Sequence, residues 1–156
     1  FMTGENGETL ASDGFRTFQK VSTAYLVAHW FSAFLGLGGL AWIVLAGMVS
    51  VVRDRAGMIR NPVAPGFIAS VLLVLPIPFF IGQSFMALGD FTLASSLLAV
   101  VTLMLPVGML MTIIRALSAW HDSRIVQVHG FAAALVLQWC ADLMGAGLLP
   151  LRLWVL

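Results

Sequence analysis

The sequence predicts an all-α integral membrane protein, a four-helix bundle in which every helix crosses the bilayer. Two observations support this fold class. Of the 156 residues, 60% are apolar and only 10% are charged, and the apolar residues gather in four long stretches. The mean hydropathy of +1.00 is far above that of a soluble domain. We therefore expect the chain to fold in lipid.

Four stretches are long enough to span the membrane, because a helix needs roughly 20 residues to cross a hydrocarbon layer about 30 Å thick. Polar segments separate them: RDRAGMIRNP, ALGDFT and RALSAWHDSRIVQ. Pro62 or Pro65 is suited to opening the second helix. Pro76 and Pro78 predict a kink in the second helix and Pro106 one in the third, since proline interrupts the backbone hydrogen bonds. The predicted spans cover about residues 23–52, 65–88, 91–114 and 126–149.

A polar N-terminal arm, residues 1–22, precedes the predicted transmembrane domain, residues 23–156. The arm is rich in Gly and Thr. It lacks the basic start and apolar core of a cleavable signal peptide. We therefore expect insertion to depend on the first hydrophobic helix.

The distribution of Lys and Arg predicts that both termini lie on the non-cytoplasmic side. Cytoplasmic loops of membrane proteins carry the excess of these residues. Five of them flank the helices on one side and three on the other. We expect a multi-pass protein of the bacterial inner membrane, or of an organellar inner membrane. The five are Arg53, Arg55, Arg60, Arg115 and Arg124, and the three are Arg16, Lys20 and Arg152.

One carboxylate, Asp142, lies inside the fourth apolar stretch, in the run VLQWCADLMGAG. At 1.5 Å per residue, Asp142 lies about 10 Å from the outer end of its helix and His29 about 9 Å from the outer end of the first. Gln83 and Ser84, in FFIGQSF, fall at a similar depth. Ionisable groups inside a bilayer usually face the bundle and find partners there. The sequence therefore predicts an intramembrane cluster of His29, Gln83 and Asp142, with Asp142 neutral or paired with a protonated histidine.

A structural role is the alternative for the same residues. Ser32, Gly36 and Gly39 share a helical face with His29, and small residues let two helices approach closely. The glycines of the GAG run at residues 145–147 are the expected partner of this face.

The three histidines limit the cofactors that the bundle can hold. A haem b between helices needs two axial ligands at one depth, usually histidines. His29 lies near the outer surface, whereas His121 and His129 lie near the inner one, so a two-haem cytochrome is not expected. In HDSRIVQVH the two inner histidines are two turns apart, which is poor spacing for a metal site. We predict no metal, and we leave quinone or a single haem b open as cofactors.

Three sequence patterns carry a resemblance to a known class of protein. They are AHWFSAFLGLGGLAW in the first helix, a proline-bearing second helix that ends in Gly and a short turn, and SSLLAVVTLMLPV in the third. Together they resemble small four-helix bacterial integral membrane proteins over most of the chain, which implies a bundle fold and no particular activity. The first helix is also similar to the opening helix of copper-resistance membrane domains. The Met and His clusters of copper handling are not evident outside the predicted spans.

Three hypotheses about function follow. The first is a non-catalytic accessory or assembly subunit of a larger respiratory or photosynthetic electron-transport complex, because the loops are short and no nucleophile triad, phosphate loop or paired carboxylates occur. The second is a redox membrane anchor that binds quinone or a single haem b through His29, Gln83 and Asp142. The third is a small proton-coupled carrier that uses the same acid. Expected partners are the lipid bilayer and other membrane subunits. The net charge of +1 gives no reason to expect nucleic acid.

Overall fold

The computed structural model describes residues 2–3, 9–12, 17–19, 22–83 and 90–151. The chain divides into two compact units, residues 1–31 and residues 32–156. This division falls inside the first transmembrane helix, α1 (Thr23–Arg53). The domain boundary predicted between residues 22 and 23 coincides with the start of α1, and as a domain boundary it stays a prediction.

The N-terminal unit contains a small antiparallel sheet where the sequence analysis predicted only a polar arm. Its strands are β1 (Met2–Thr3), β2 (Thr9–Ser12) and β3 (Thr17–Gln19), paired in that order. A signal for this sheet exists in the sequence. The segments that link the strands contain an Asn-Gly and an Asp-Gly dipeptide, and these are the strongest short-range signals for a β-hairpin.

The predicted four-helix membrane bundle is confirmed. Four helical stretches are long and apolar enough to cross a membrane, so the chain is a multi-pass membrane protein. The 31 residues of α1 extend about 46 Å, which exceeds the hydrocarbon thickness of about 30 Å, so α1 must tilt or emerge from it. The third and fourth spans are single helices, α4 (Leu93–Ser118) and α5 (Arg124–Gly145). The four spans are Thr23–Arg53, Ala64–Ile81, Leu93–Ser118 and Arg124–Gly145.

The second span is interrupted where the sequence predicted a kink. It consists of α2 (Ala64–Leu72) and α3 (Ile77–Ile81), joined by a turn. Pro76 and Pro78 have no N–H to continue the helical hydrogen bonds, so the ladder ends before them. Pro106 lies within α4, which continues through it as one helix. The proline pair therefore divides its span, whereas the single proline does not.

Side-chain caps fix where α4 and α5 begin. Thr92 Oγ1 accepts a hydrogen bond from the Ser95 backbone N at 3.3 Å, and Ser95 Oγ accepts one from the Thr92 backbone N at 2.9 Å. This reciprocal pair is a capping box. Ser123 Oγ accepts from the Val126 backbone N at 3.3 Å. These bonds satisfy backbone donors that the first helical turn leaves unpaired.

In the larger unit α4 is central, because it packs against both α2 and α5. The approach of α2 is close. A Cβ on Gly108 would lie 2.8 Å from the carbonyl oxygen of Pro65, so only glycine fits at this crossing. A buried hydrogen bond, 2.8 Å from the Gly66 backbone N to Thr112 Oγ1, also joins the two helices. The core of buried apolar residues is Ile43, Val63, Ala69, Leu105, Met109, Ala132, Ala133, Val136 and Cys140.

Candidate functional site

The buried face of α1 is a line of small residues against which α5 packs. A Cβ on Gly36 would lie 2.6 Å from Cγ of Trp139, and a Cβ on Gly39 would lie 2.6 Å from the carbonyl oxygen of Ala132. Both distances are shorter than real side chains tolerate, so glycine is required for this approach. The predicted small-residue face is therefore confirmed for Ser32, Gly36 and Gly39. The other buried residues of α1 are Ile43 and Gly47, and Gly47 contacts Phe67 of the second span.

The predicted partner of this face is wrong. A Cβ on Gly145 or on Gly147 would meet no described atom within 4 Å. The physical reason is that α5 ends at Gly145. The helices α1 and α5 cross before the last turn of α5. Gly36 and Gly39 of α1 therefore meet Ala132, Val136 and Trp139.

Asp142 accepts hydrogen bonds from two polar side chains, one on α1 and one on α5. Ser32 Oγ of α1 donates a hydrogen bond to Asp142 Oδ2. Gln138 Nε2, one turn before the aspartate on α5, lies 2.6 Å from Ser32 Oγ and 3.1 Å from Asp142 Oδ2. Ser32 is buried, Asp142 is half-buried and Gln138 is exposed. The carboxyl group therefore keeps hydrogen bonds inside an apolar span, where unpaired polar groups are costly.

The aspartate lies closer to its helix end than the sequence predicted. Because α5 ends at Gly145, only three residues separate Asp142 from that end, about 4.5 Å instead of the expected 10 Å or so. A helix C-terminus carries partial negative charge, which disfavours a nearby carboxylate. The two donors, Ser32 and Gln138, offset that repulsion.

The predicted partners of Asp142 lie in different parts of the chain. His29 belongs to the N-terminal unit, where its ring stacks on Tyr25 with centroids 6.3 Å apart and an interplanar angle of 10°. Gln83 belongs to the larger unit, and its buried Oε1 accepts no hydrogen bond from a described residue. Ser84 lies outside the described residues. The predicted cluster of His29, Gln83 and Asp142 stays a prediction.

A second polar pair lies at the other end of α5. Trp42 Nε1 of α1 donates to His129 Nδ1 at 3.1 Å, and the ring centroids are 6.2 Å apart. An indole N–H can only donate, so the accepting Nδ1 carries no proton and the neutral ring carries its proton on Nε2. His129 is buried. No described residue accepts a hydrogen bond from its Nε2–H, which leaves this group able to donate to a ligand.

A cavity of about 430 Å³ opens beside Trp42 and His129. Its walls come from α1, from the start of α5 and from the loop that follows α1. Most of the lining is apolar, with Leu45, Val49 and Ile125 as its large aliphatic members. Its volume and apolar character are typical of pockets for small organic molecules, about 300–1,000 Å³.

In the loop that lines the cavity, most polar groups form hydrogen bonds with other residues of the protein. Asn61 Nδ2 donates to Ser50 Oγ at 3.0 Å, and Asn61 Oδ1 accepts from the Val63 backbone N at 3.0 Å. Asp54 Oδ1 accepts from the Gly57 backbone N, also at 3.0 Å. The loop is therefore shaped by its own hydrogen bonds before any ligand binds.

Sequence reasoning missed three residues of these two sites. Gln138 carried a usable signal, because it lies four residues before Asp142 and so on the same helical face. Ser32 was identified only as a small packing residue. Trp42 carried no signal, because its bond to His129 joins positions 87 residues apart, and His129 itself was considered only as a haem or metal ligand.

Among the described residues, no group of three or more His, Cys, Asp or Glu side chains could hold a metal ion. The only cysteine, Cys140, is buried. Comparison with protein-family models, curated proteins and solved structures finds no match to this chain.

Proposed function

We propose that this chain is a non-catalytic accessory or assembly subunit of a larger membrane complex. The observation that carries the proposal is a stripe on the outer side of α5. Its members recur every three or four residues and so share one helical face. All of them are exposed in the bundle. The stripe consists of Ala134, Gln138, Ala141 and Gly145.

The stripe differs from the outer side of α4. The outer side of α4 presents large apolar side chains such as Leu110, Met111 and Ile114, which suit contact with lipid chains. Between helices in a membrane, small residues are enriched because they let backbones approach closely. The span formed by α5 is also the least apolar of the four. The α5 stripe therefore suits a neighbouring helix better than it suits lipid.

Gln138 supplies a reason for such a helix to bind. Its Nε2 is hydrogen-bonded to Ser32 and Asp142, whereas its Oε1 accepts no hydrogen bond from a described residue. A polar atom left unpaired in hydrocarbon is unfavourable, and side-chain hydrogen bonds between membrane helices contribute about 0.6–2 kcal/mol. A Ser, Thr or Asn side chain on a partner helix would satisfy this oxygen.

The polar groups inside the bundle support an accessory role. Asp142 bonds to Ser32, His129 bonds to Trp42, and Thr112 bonds to Gly66. Each bond joins two different helices. Two of them join α1 to α5 and one joins α2 to α4, so these polar residues stabilise pairs of spans, as a structural role requires.

A leucine on the α5 stripe tests the proposal. We expect the wild-type chain, extracted from its native membrane in mild detergent, to have the mass of a complex with other subunits. Ala141→Leu should lose those subunits, because the larger side chain prevents the close approach of a partner helix. Native mass spectrometry after affinity purification measures this loss.

The matched control is Ala41→Leu on the exposed side of α1, which should keep the complex. Thermal unfolding in detergent should be similar for both variants, since both positions are exposed. A wild-type chain that is monomeric after mild extraction would contradict the proposal. If the two variants retain their partners equally, the α5 stripe is not the interface.

A further inference from the structure

We propose that the cavity between α1 and α5 binds a lipid-soluble quinone, with one ring carbonyl accepting a hydrogen bond from Nε2–H of His129. This binding does not require that a partner occupy the α5 stripe. It also lies away from the cluster considered in the sequence analysis, because His129 and Asp142 are thirteen residues apart on α5, about 20 Å along the helix.

His129 provides a donor of fixed orientation. The bond from Trp42 Nε1 to Nδ1 orients the imidazole of His129 and places its proton on Nε2. His129 as a whole residue is only 5% exposed, and it lines the cavity. Its Nε2–H donates to no described residue. A ligand carbonyl in the cavity would satisfy it.

The walls of the cavity suit a flat, conjugated ring. The cavity of about 430 Å³ has the indole of Trp42 and several aliphatic side chains in its lining. A flat conjugated ring suits such a wall, because aromatic and aliphatic surfaces both pack against its face. A quinone ring combines this flat apolar face with carbonyl acceptors at its edge.

The charges in the lining favour a neutral ring over an anionic phospholipid. Arg53 and Asp54 are the charged residues that line the cavity, and their charges cancel, so an anionic headgroup has no net attraction. Trp42 lies eleven residues before Arg53 on α1, about 16 Å along the helix. A phospholipid headgroup beside Arg53 would place acyl carbons, which accept no hydrogen bond, near His129. A neutral ring that enters from the lipid places a carbonyl there instead.

The rim of the cavity provides a path for the isoprenoid tail. Leu45, Val49 and Ile125 line the cavity and are also 60%, 53% and 62% exposed. They form an apolar rim from α1 and α5 through which a tail can pass into the surrounding hydrocarbon. The ring is therefore held inside while the tail stays in lipid.

The test uses the full chain in phosphatidylcholine nanodiscs that contain no quinone. Ubiquinone-2 and menaquinone-2 are titrated, and binding is measured by ultraviolet absorbance as the quinone retained with the nanodiscs in excess of that in protein-free nanodiscs. We expect saturable binding of at least one of them. His129→Leu should weaken that binding about tenfold, as expected for the loss of one buried hydrogen bond. The control His121→Leu, at an exposed histidine outside the cavity, should bind as the wild type does.

A second variant keeps the donor and removes the space. Val49→Trp places a large side chain at the cavity from an exposed position, so the fold should persist while binding is lost. Far-UV circular dichroism checks that the helices remain. Absence of saturable binding, or equal binding by wild type, His129→Leu and Val49→Trp, would overturn the proposal. So would a phospholipid that is retained in native mass spectra of the wild type and lost in Val49→Trp.

Discussion

Replacing Gly39 by alanine should destabilise the bundle, because this glycine lets α1 touch the backbone of α5. The added Cβ would lie 2.6 Å from the carbonyl oxygen of Ala132, and ordinary contacts begin near 3.4 Å. The helices must therefore separate by about 0.8 Å, the difference between these two distances. A backbone oxygen cannot rotate away as a side chain can. Overpacking of this kind costs about 1–3 kcal/mol.

The neighbouring glycine is the control for this change. A Cβ on Gly38 would meet no described atom within 4 Å, so Gly38→Ala should be neutral or stabilise α1 by up to about 1 kcal/mol through helix propensity. Unfolding in mixed micelles of dodecyl maltoside and increasing SDS, followed by circular dichroism, compares the two free energies of unfolding. If Gly39→Ala is as stable as Gly38→Ala, the close contact of α1 with α5 is not present in the membrane.

Three further outcomes are expected. Asp142→Asn should change the free energy of unfolding by less than about 1 kcal/mol, because the amide oxygen still accepts hydrogen bonds. Asp142→Ala should cost about 1–3 kcal/mol, because Ser32 and Gln138 then lose their acceptor. Unfolding in SDS distinguishes the two variants. Thr112→Val should cost a similar amount, about 1–3 kcal/mol, because the buried N–H of Gly66 loses its acceptor, while Thr112→Ser should be close to wild type in the same assay. Cysteines introduced at Ser12 and at Arg60 should react with impermeant reagents from opposite sides of the membrane, with Ser12 on the non-cytoplasmic side; labelling from one side only would refute the predicted topology.

Transmembrane segments could be predicted from the sequence because each one is a property of its own residues. Membrane hydrocarbon offers no hydrogen bonds, so a segment of sufficient length and apolarity must form a helix wherever its neighbours lie. The break at Pro76 and Pro78 is equally local, since it follows from the missing N–H. The small-residue face of α1 also follows from spacing alone, because residues three and four apart share a side of a helix.

Which residues of different helices pair with each other was decided only by the tertiary structure. Ser32 and Asp142 are 110 residues apart, and Trp42 and His129 are 87 apart. Their pairing depends on how far α1 and α5 slide along each other and on how each helix rotates. Hydropathy contains no information on either quantity, because nearly every side of these helices is apolar. A shift of one turn, about 5.4 Å, would have exchanged every partner while leaving the four predicted spans unchanged.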